Sequence, residues 1–196
     1  MARRLRIGID VDGVIADFVT AFLEDAETLF KRPMPRATQT TWDFEDSLDI
    51  TKDEVAQVWK HITASQNWFL LRPKAIPHVV TFLQDLAIKH ELYFVTSRKD
   101  TVGYTAKEQT EFFLNGLGID FPTVLANFNK GEIAAALKLH AFIDDYPKNA
   151  EIIAAKSSAT KGFLMNATYN QDYKGPWERV ASFEEFAAKI EDIANE

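Results

Sequence analysis

Residues 7–18 read IGIDVDGVIADF. The first half is apolar and β-branched, and it predicts a short buried strand over LRIGIDV, 5–11. Asp10 and Asp12 stand one residue apart where that strand ends, and Gly13 follows at the turn. From Ile15 to Phe30 apolar residues recur at helical spacing, and RPMP at 32–35 stops that helix because proline cannot continue it. A buried strand therefore runs into a pair of like charges and then into a helix. Something has to neutralise the pair.

The same unit repeats downstream. LYFVTSR (92–98), TVLA (123–126), HAFIDD (140–145) and KGFLM (161–165) predict strands. Helical spacing separates them at 79–88, 104–116, 131–139 and 148–156, and SFEEFAAKIEDIA (182–194) predicts a closing amphipathic helix capped by Ser182. Short apolar strands alternating with helices imply an α/β fold, a Rossmann-like parallel sheet flanked by helices. The stretch 17–73 breaks the alternation: it is helical, with a capping box at Thr51 and Glu54 opening a helix to about His61, and it offers no clear strand. It reads as a small helical cap inserted after strand 1, which leaves 1–16 and 74–196 as the core domain.

Composition narrows the function. The chain has 196 residues, 46% hydrophobic and 26% charged, enough for one domain with a full-sized core. Its net charge is −7 with no basic stripe, which argues against polymeric nucleic acid as a partner. There is no cysteine, so disulfides, thiolate zinc sites and cysteine nucleophiles are excluded. Acids interrupt the apolar stretch near the N-terminus and no membrane-length apolar run follows, so a cytoplasmic location is the default expectation. The four histidines are scattered, and none receives a role.

In an open parallel sheet, ligands bind beyond the carboxyl ends of the strands. Strand ends here deliver Asp10 and Asp12, Thr96 and Ser97, and Asp144 and Asp145, with Lys130 at a nearby loop-to-helix junction. Two unit charges about 4 Å apart repel by roughly 4 kcal/mol at an effective dielectric near 20, so four converging carboxylates call for a cation. Oxygen ligands with no histidine or cysteine cluster suit Mg²⁺. Thr96, Ser97 and Lys130 suit a phosphate, and a carboxylate can act as the nucleophile through an aspartyl phosphate. Asp17 reads as structural.

DVDGV (10–14), TSR (96–98), Lys130 and IDD (143–145) resemble the four motifs of the haloacid dehalogenase superfamily, in the order that superfamily uses. DGVIADF, the aromatic residues of the insertion and the length are similar, more narrowly, to the 5′(3′)-deoxyribonucleotidase family. The resemblance implies a Mg²⁺-dependent hydrolase that removes phosphate from nucleoside monophosphates, and a homodimer. It implies Asp10 as nucleophile and metal ligand, and Asp12 as acid and base with its carbonyl on the metal. It makes Asp145 a further metal ligand, with Asp144 beside it at the metal in a supporting or water-mediated role, and Thr96, Ser97 and Lys130 the holders of the phosphoryl group. Gly13 leaves space beside the phosphate, and Phe18, Phe44 and Trp68 surround base and sugar, with Phe18 favouring deoxyribose. Trp42 and Phe69 are left to the insertion's own core. The chain departs from the common pattern at Arg98, where proline is frequent, and at Phe128, where arginine is frequent.

Two other functions use similar groups. A phospho-receiver module, a binding switch rather than a catalyst, also gathers acids, a hydroxyl and a lysine around Mg²⁺. It places the hydroxyl residue and the lysine last, is much shorter and has no cap. The nearer alternative is a phosphatase for another small phosphorylated metabolite, such as a sugar phosphate, on the same catalytic set.

Overall fold

The structure is a computed structural model, and it describes residues 3–34, 39–126 and 129–196. In chain order the strands are β1 (Arg6–Ile9), β2 (Ala16–Asp17), β3 (Lys74–Ala75), β4 (Glu91–Thr96), β5 (Thr123–Ala126), β6 (Ala141–Asp144), β7 (Lys161–Met165) and β8 (Glu178–Val180). Six of them form one sheet in the order β5-β4-β1-β6-β7-β8, with every pairing parallel. The α/β class read from the sequence holds. β1 sits in the middle with Ile9 opposite both Phe94 and Ile143, so the ends of β1, β4 and β6 lie side by side.

Helices cover both faces. On one, α4 (Val79–Lys89), α5 (Ala106–Gly116) and α8 (Phe183–Asn195) bury Leu83, Leu86, Leu114, Phe186 and Ile190 against Ile7, Ile9, Phe94, Ile143 and Phe163. On the other, α6 (Lys130–Leu137) and α7 (Pro147–Lys156) bury Ala134, Ala150 and Ile153 against Phe142 and Leu164. Neighbours such as Phe142 and Ile143 thus serve opposite layers, which is why these strands read as continuous apolar runs rather than alternating ones. Ser182 caps α8 by accepting from Glu185 N at 3.2 Å.

The segment after β1 forms α1 (Phe18–Phe30), α2 (Lys52–Ala64) and the single turn α3 (Trp68–Leu71). These share a cluster of their own in which Val19, Phe22, Val58, Ile62, Trp68 and Phe69 are buried. The Thr51–Glu54 capping box is present, with both reciprocal hydrogen bonds made. Asp17 is structural in the expected sense: its carboxylate accepts from Thr20 N at 3.2 Å and caps α1.

Two strand features had no sequence signal. The two ends of the segment are joined by a short ribbon, β2 pairing antiparallel with β3, Ala16 opposite Ala75 and Asp17 opposite Lys74, and among the described residues no strand lies between them. Two residues are too few for any periodicity to announce them. β8, whose sequence is ERV, carries two charged residues on a sheet edge and so has no apolar run to signal it. Among the described residues no helix is long and apolar enough to cross a membrane.

Candidate active site

The carboxyl ends of β1 and β6 bring the two acidic pairs together, and Asp10 N donates to Ile143 O at 3.0 Å across that junction. Asp10, Asp144 and Asp145 are all buried, and each offers an oxygen within 4.8 Å of the others. Lys130, the first residue of α6, is buried between them, its Nζ 2.8 Å from Asp10 Oδ1 and 2.8 Å from Asp144 Oδ2. Asp144 also accepts from Tyr146 N at 2.9 Å and from Asn149 Nδ2 at 3.1 Å. It anchors the lysine while staying close enough to Asp10 and Asp145 to share a cation with them. Asp145 Oδ2 accepts from the Tyr169 hydroxyl, whereas its buried Oδ1 has no hydrogen-bond partner among the described residues.

Three carboxylates and one ammonium leave two negative charges in a buried space. Burial pushes the Asp10 carboxyl up to about 7; Lys130 opposes the shift and Asp144 adds to it. Burial, reinforced by Asp10 and Asp144, likewise holds the Asp145 carboxyl well above the usual carboxylate range. Burial alone would lower the Lys130 ammonium, but Asp10 and Asp144 hold it above the ordinary lysine value. A divalent cation with a preference for hard oxygen ligands fits this charge and the orphaned Asp145 oxygen. Asp10 and Asp145 are the side chains that would hold it.

The turn after β1 is set by its backbone. Ile15 N and Ala16 N both donate to Val11 O at 2.8 Å, and Gly13 N donates to Ala16 O at 2.8 Å. Gly13 has φ of 80°, in the left-handed region, and a Cβ built on it would run into the Asp145 carboxylate. The glycine thus spares the acid cluster as well as the space above it. Asp12, beyond the turn's start, is pinned by Arg98: Nε donates to Oδ2 at 2.8 Å and Nη2 to Oδ1 at 2.7 Å.

Thr96 and Ser97 close the end of β4 and share a cavity of about 400 Å³ with Asp10, Asp12 and Lys130. Its opposite wall is aromatic, formed by Phe18, Trp42, Trp59, Phe69 and Tyr146. A side chamber of about 170 Å³, bounded by Gly13, Phe44, Trp59 and Asp145, adjoins it across Phe18. A larger groove of about 780 Å³ runs from Gly13 toward Phe183 and contains none of the acid cluster.

The sequence-predicted aromatics divide. Phe18 faces both chambers and Phe44 the smaller one, stacked on Phe22 with centroids 4.3 Å apart. Trp68 does not reach either: it is 1% exposed, and its Nε1 donates to buried Asp25 at 2.6 Å in the interior of the helical segment. Trp42 was assigned to the segment's core but lines both chambers, stacked on Tyr146 at 3.9 Å between centroids. Phe69 is buried as expected and still forms part of the cavity wall. Trp59 and Tyr146 are cavity-lining aromatics that the sequence does not announce as such. The nearest thing to a signal is that Val55 and Trp59 lie four apart on α2 and both border the side chamber. Phe128 lies outside the described residues.

Comparison with known proteins agrees with this architecture. The model of the family described as 5' nucleotidase, deoxy (pyrimidine), cytosolic type C protein matches residues 3–194. No curated protein matches the chain in sequence. Among solved structures, a haloacid dehalogenase-like family protein from Streptococcus pneumoniae superposes with a TM-score of 0.62 at 12% identity, over 95% of this chain and 98% of its own. A haloacid dehalogenase-superfamily hydrolase of subfamily IA from Geobacter sulfurreducens gives 0.62 at 14%, over 96% and 97%. A predicted phosphoglycolate phosphatase from Haemophilus somnus gives 0.60 at 16%, over 96% and 99%. At these identities the likeness is one of fold. The family match over nearly the whole chain carries the assignment: this protein has the fold of haloacid dehalogenase-like hydrolases and belongs to the type C 5'-nucleotidase family, a family of hydrolases.

Proposed function

We propose that the protein is a Mg²⁺-dependent phosphomonoesterase acting on nucleoside monophosphates, deoxy forms above all, through an aspartyl phosphate on Asp10. The observation that carries the reading is a single cavity with a charged floor, Asp10, Asp12 and Lys130, and an aromatic wall, Phe18, Trp42 and Trp59. Such a cavity takes a phosphate at one end and a flat base at the other; stacking a base on an aromatic ring is worth about 1–3 kcal/mol. In this reading residues 17–73 are a cap over a core made of 1–16 and 74–196.

Asp10 Oδ2, the oxygen not engaged by Lys130 or Val11 N, attacks phosphorus as the bond to the leaving oxygen breaks. Asp12 gives its proton to that oxygen, and the nucleoside departs as an alcohol. Asp12 then takes a proton from a water that attacks the aspartyl phosphate, releasing phosphate and restoring both acids. Thr96, Ser97 and Lys130 hold the phosphoryl oxygens during both transfers. A divalent cation would be held by Asp10 and Asp145, with Asp144 beside them, and would supply charge neutralisation at the phosphoryl group. Phe18 presses an apolar face toward the sugar, where an unpaired hydroxyl would lose about 1–3 kcal/mol.

Purified protein with Mg²⁺ is assayed for phosphate release from deoxy- and ribonucleoside monophosphates and from sugar phosphates. Deoxynucleotides turned over fastest, with activity lost in Asp10→Asn, is the expected result. Sugar phosphates turned over far faster than any nucleotide would refute the assignment of the aromatic wall. An active Asp10→Asn variant would refute the nucleophile.

A further inference from the structure

We infer that Arg98 is the positioning residue for Asp12, holding the plane of that carboxylate so that its open edge meets the leaving oxygen. The inference rests on the reading of Asp12 as the proton donor. The guanidinium donates to both Asp12 oxygens, Nε at 2.8 Å and Nη2 at 2.7 Å, the bidentate fork that only arginine can make. The torsion that turns a carboxylate about its Cβ–Cγ bond is broad and nearly unrestrained when nothing holds it. With one N–H on each oxygen, Asp12 cannot turn without breaking both bonds at once.

Arg98 is itself immobilised from three sides. Its Nη1 donates to Thr110 Oγ1 at 3.1 Å, and that hydroxyl donates in turn to Ala106 O at 2.7 Å within α5. The guanidinium lies over the Phe69 ring at 4.9 Å and the Phe113 ring at 5.7 Å. Its own backbone N donates to Thr96 Oγ1 at 3.3 Å, tying it to the end of β4. Both residues line the cavity, but the arginine side chain is 0% exposed while that of Asp12 is 24% exposed. With its guanidinium taken up by Asp12 and Thr110, Arg98 acts through Asp12. Because Phe69 comes from the helical segment and Thr110 from α5, the clamp is complete only when the two are packed together; Phe69 N donates to Gln109 Oε1 at 3.0 Å at that junction.

A leaving-group comparison separates orientation of a proton donor from every other role. A nucleoside leaves as an alkoxide that needs a proton, whereas a nitrophenolate does not. The value of kcat/KM covers only the steps up to departure, so it isolates this proton. Arg98→Met, which keeps the apolar bulk between Phe69 and Phe113, is expected to lose about 10- to 100-fold in kcat/KM on a nucleoside monophosphate, less than the roughly 100- to 10,000-fold that the acid itself supplies, because the variant misaligns the acid without removing it. On nitrophenyl phosphate the loss should be less than about threefold. Arg98→Lys should recover part of the nucleotide activity, and Asp12→Asn should show the same selectivity with a larger loss. Arg98→Gln, with melting temperatures for all variants, provides a second folded comparison if the methionine variant does not fold. Equal losses on both substrates, or a rise in KM with kcat unchanged, would overturn the inference while the hydrolase reading stands. A wild-type protein that hydrolyses neither substrate would overturn both.

Discussion

Asparagine in place of the proposed nucleophile should stabilise the metal-free protein at alkaline pH. Folded Asp10 holds its proton up to about pH 7 against 3.8 for a free carboxyl. Between those values the folded state binds more protons than the unfolded one. The stabilisation is fully present below about pH 4 and is lost as pH rises through 7. The gap of about three units is worth about 4 kcal/mol at 1.36 kcal/mol per unit. Asp145 is displaced in the same direction, partly by Asp10, so removing one charge relaxes both. Asp10→Asn keeps the acceptor for Val11 N and Lys130 but never ionises. In chelator its stability should equal that of the wild type below about pH 4, exceed it by about 2 kcal/mol at pH 5 and by about 4 kcal/mol at pH 8, the last being roughly 8–16 °C in melting temperature for a chain of this size. His90 and His140, whose pKa values burial lowers, tilt the pH profile the other way, but both proteins share them and the difference cancels their effect. Saturating Mg²⁺ should stabilise the wild type by about 2.7 kcal/mol at a hundredfold excess over Kd and the variant by less. Thermal melts at pH 5 to 8, with chelator and with Mg²⁺, test this. Superimposed melting curves for the two proteins in chelator across that range would refute the reasoning.

Gly13→Ala should cost about 1–3 kcal/mol of stability from the left-handed backbone alone, while the collision with Asp145 removes Mg²⁺ binding as well; calorimetric titration with Mg²⁺ beside a melt reads the two effects apart. Lys130→Met strips the shared counter-charge from Asp10 and Asp144 and should destabilise the fold by about 3–5 kcal/mol at pH 8, with the loss shrinking as Asp10 takes up its proton below about pH 7; urea unfolding at pH 8 and pH 5 measures it.

The sheet was legible because its central strands are apolar runs and its helices carry their own start signals, such as Thr51 with Glu54. The acids and Lys130 were legible because charge at the end of a buried strand has few structural uses. What escaped was decided by distant partners. Asp12 and Arg98 are 86 residues apart, so nothing near TSR announces the clamp. Trp59 and Trp68 are chemically alike, and only the buried carboxylate of Asp25, which captures the Trp68 indole, decides which ring is left for the cavity. Tyr169, which bonds the metal-side acid, follows β7 in a stretch without periodicity.

The two-residue ribbon of β2 and β3 has a wider consequence. Since Ala16 lies opposite Ala75, the excursion between them begins and ends at one point beside the Asp12–Gly13 turn. Seen from the sheet, that excursion is a closed hairpin whatever its contents, and the entropy of closing such a loop grows only slowly with its length. The segment between them can therefore change in length without shifting the register of β1 against β4. The sheet and the contents of that excursion are separately editable at their covalent junction, a staple four residues wide.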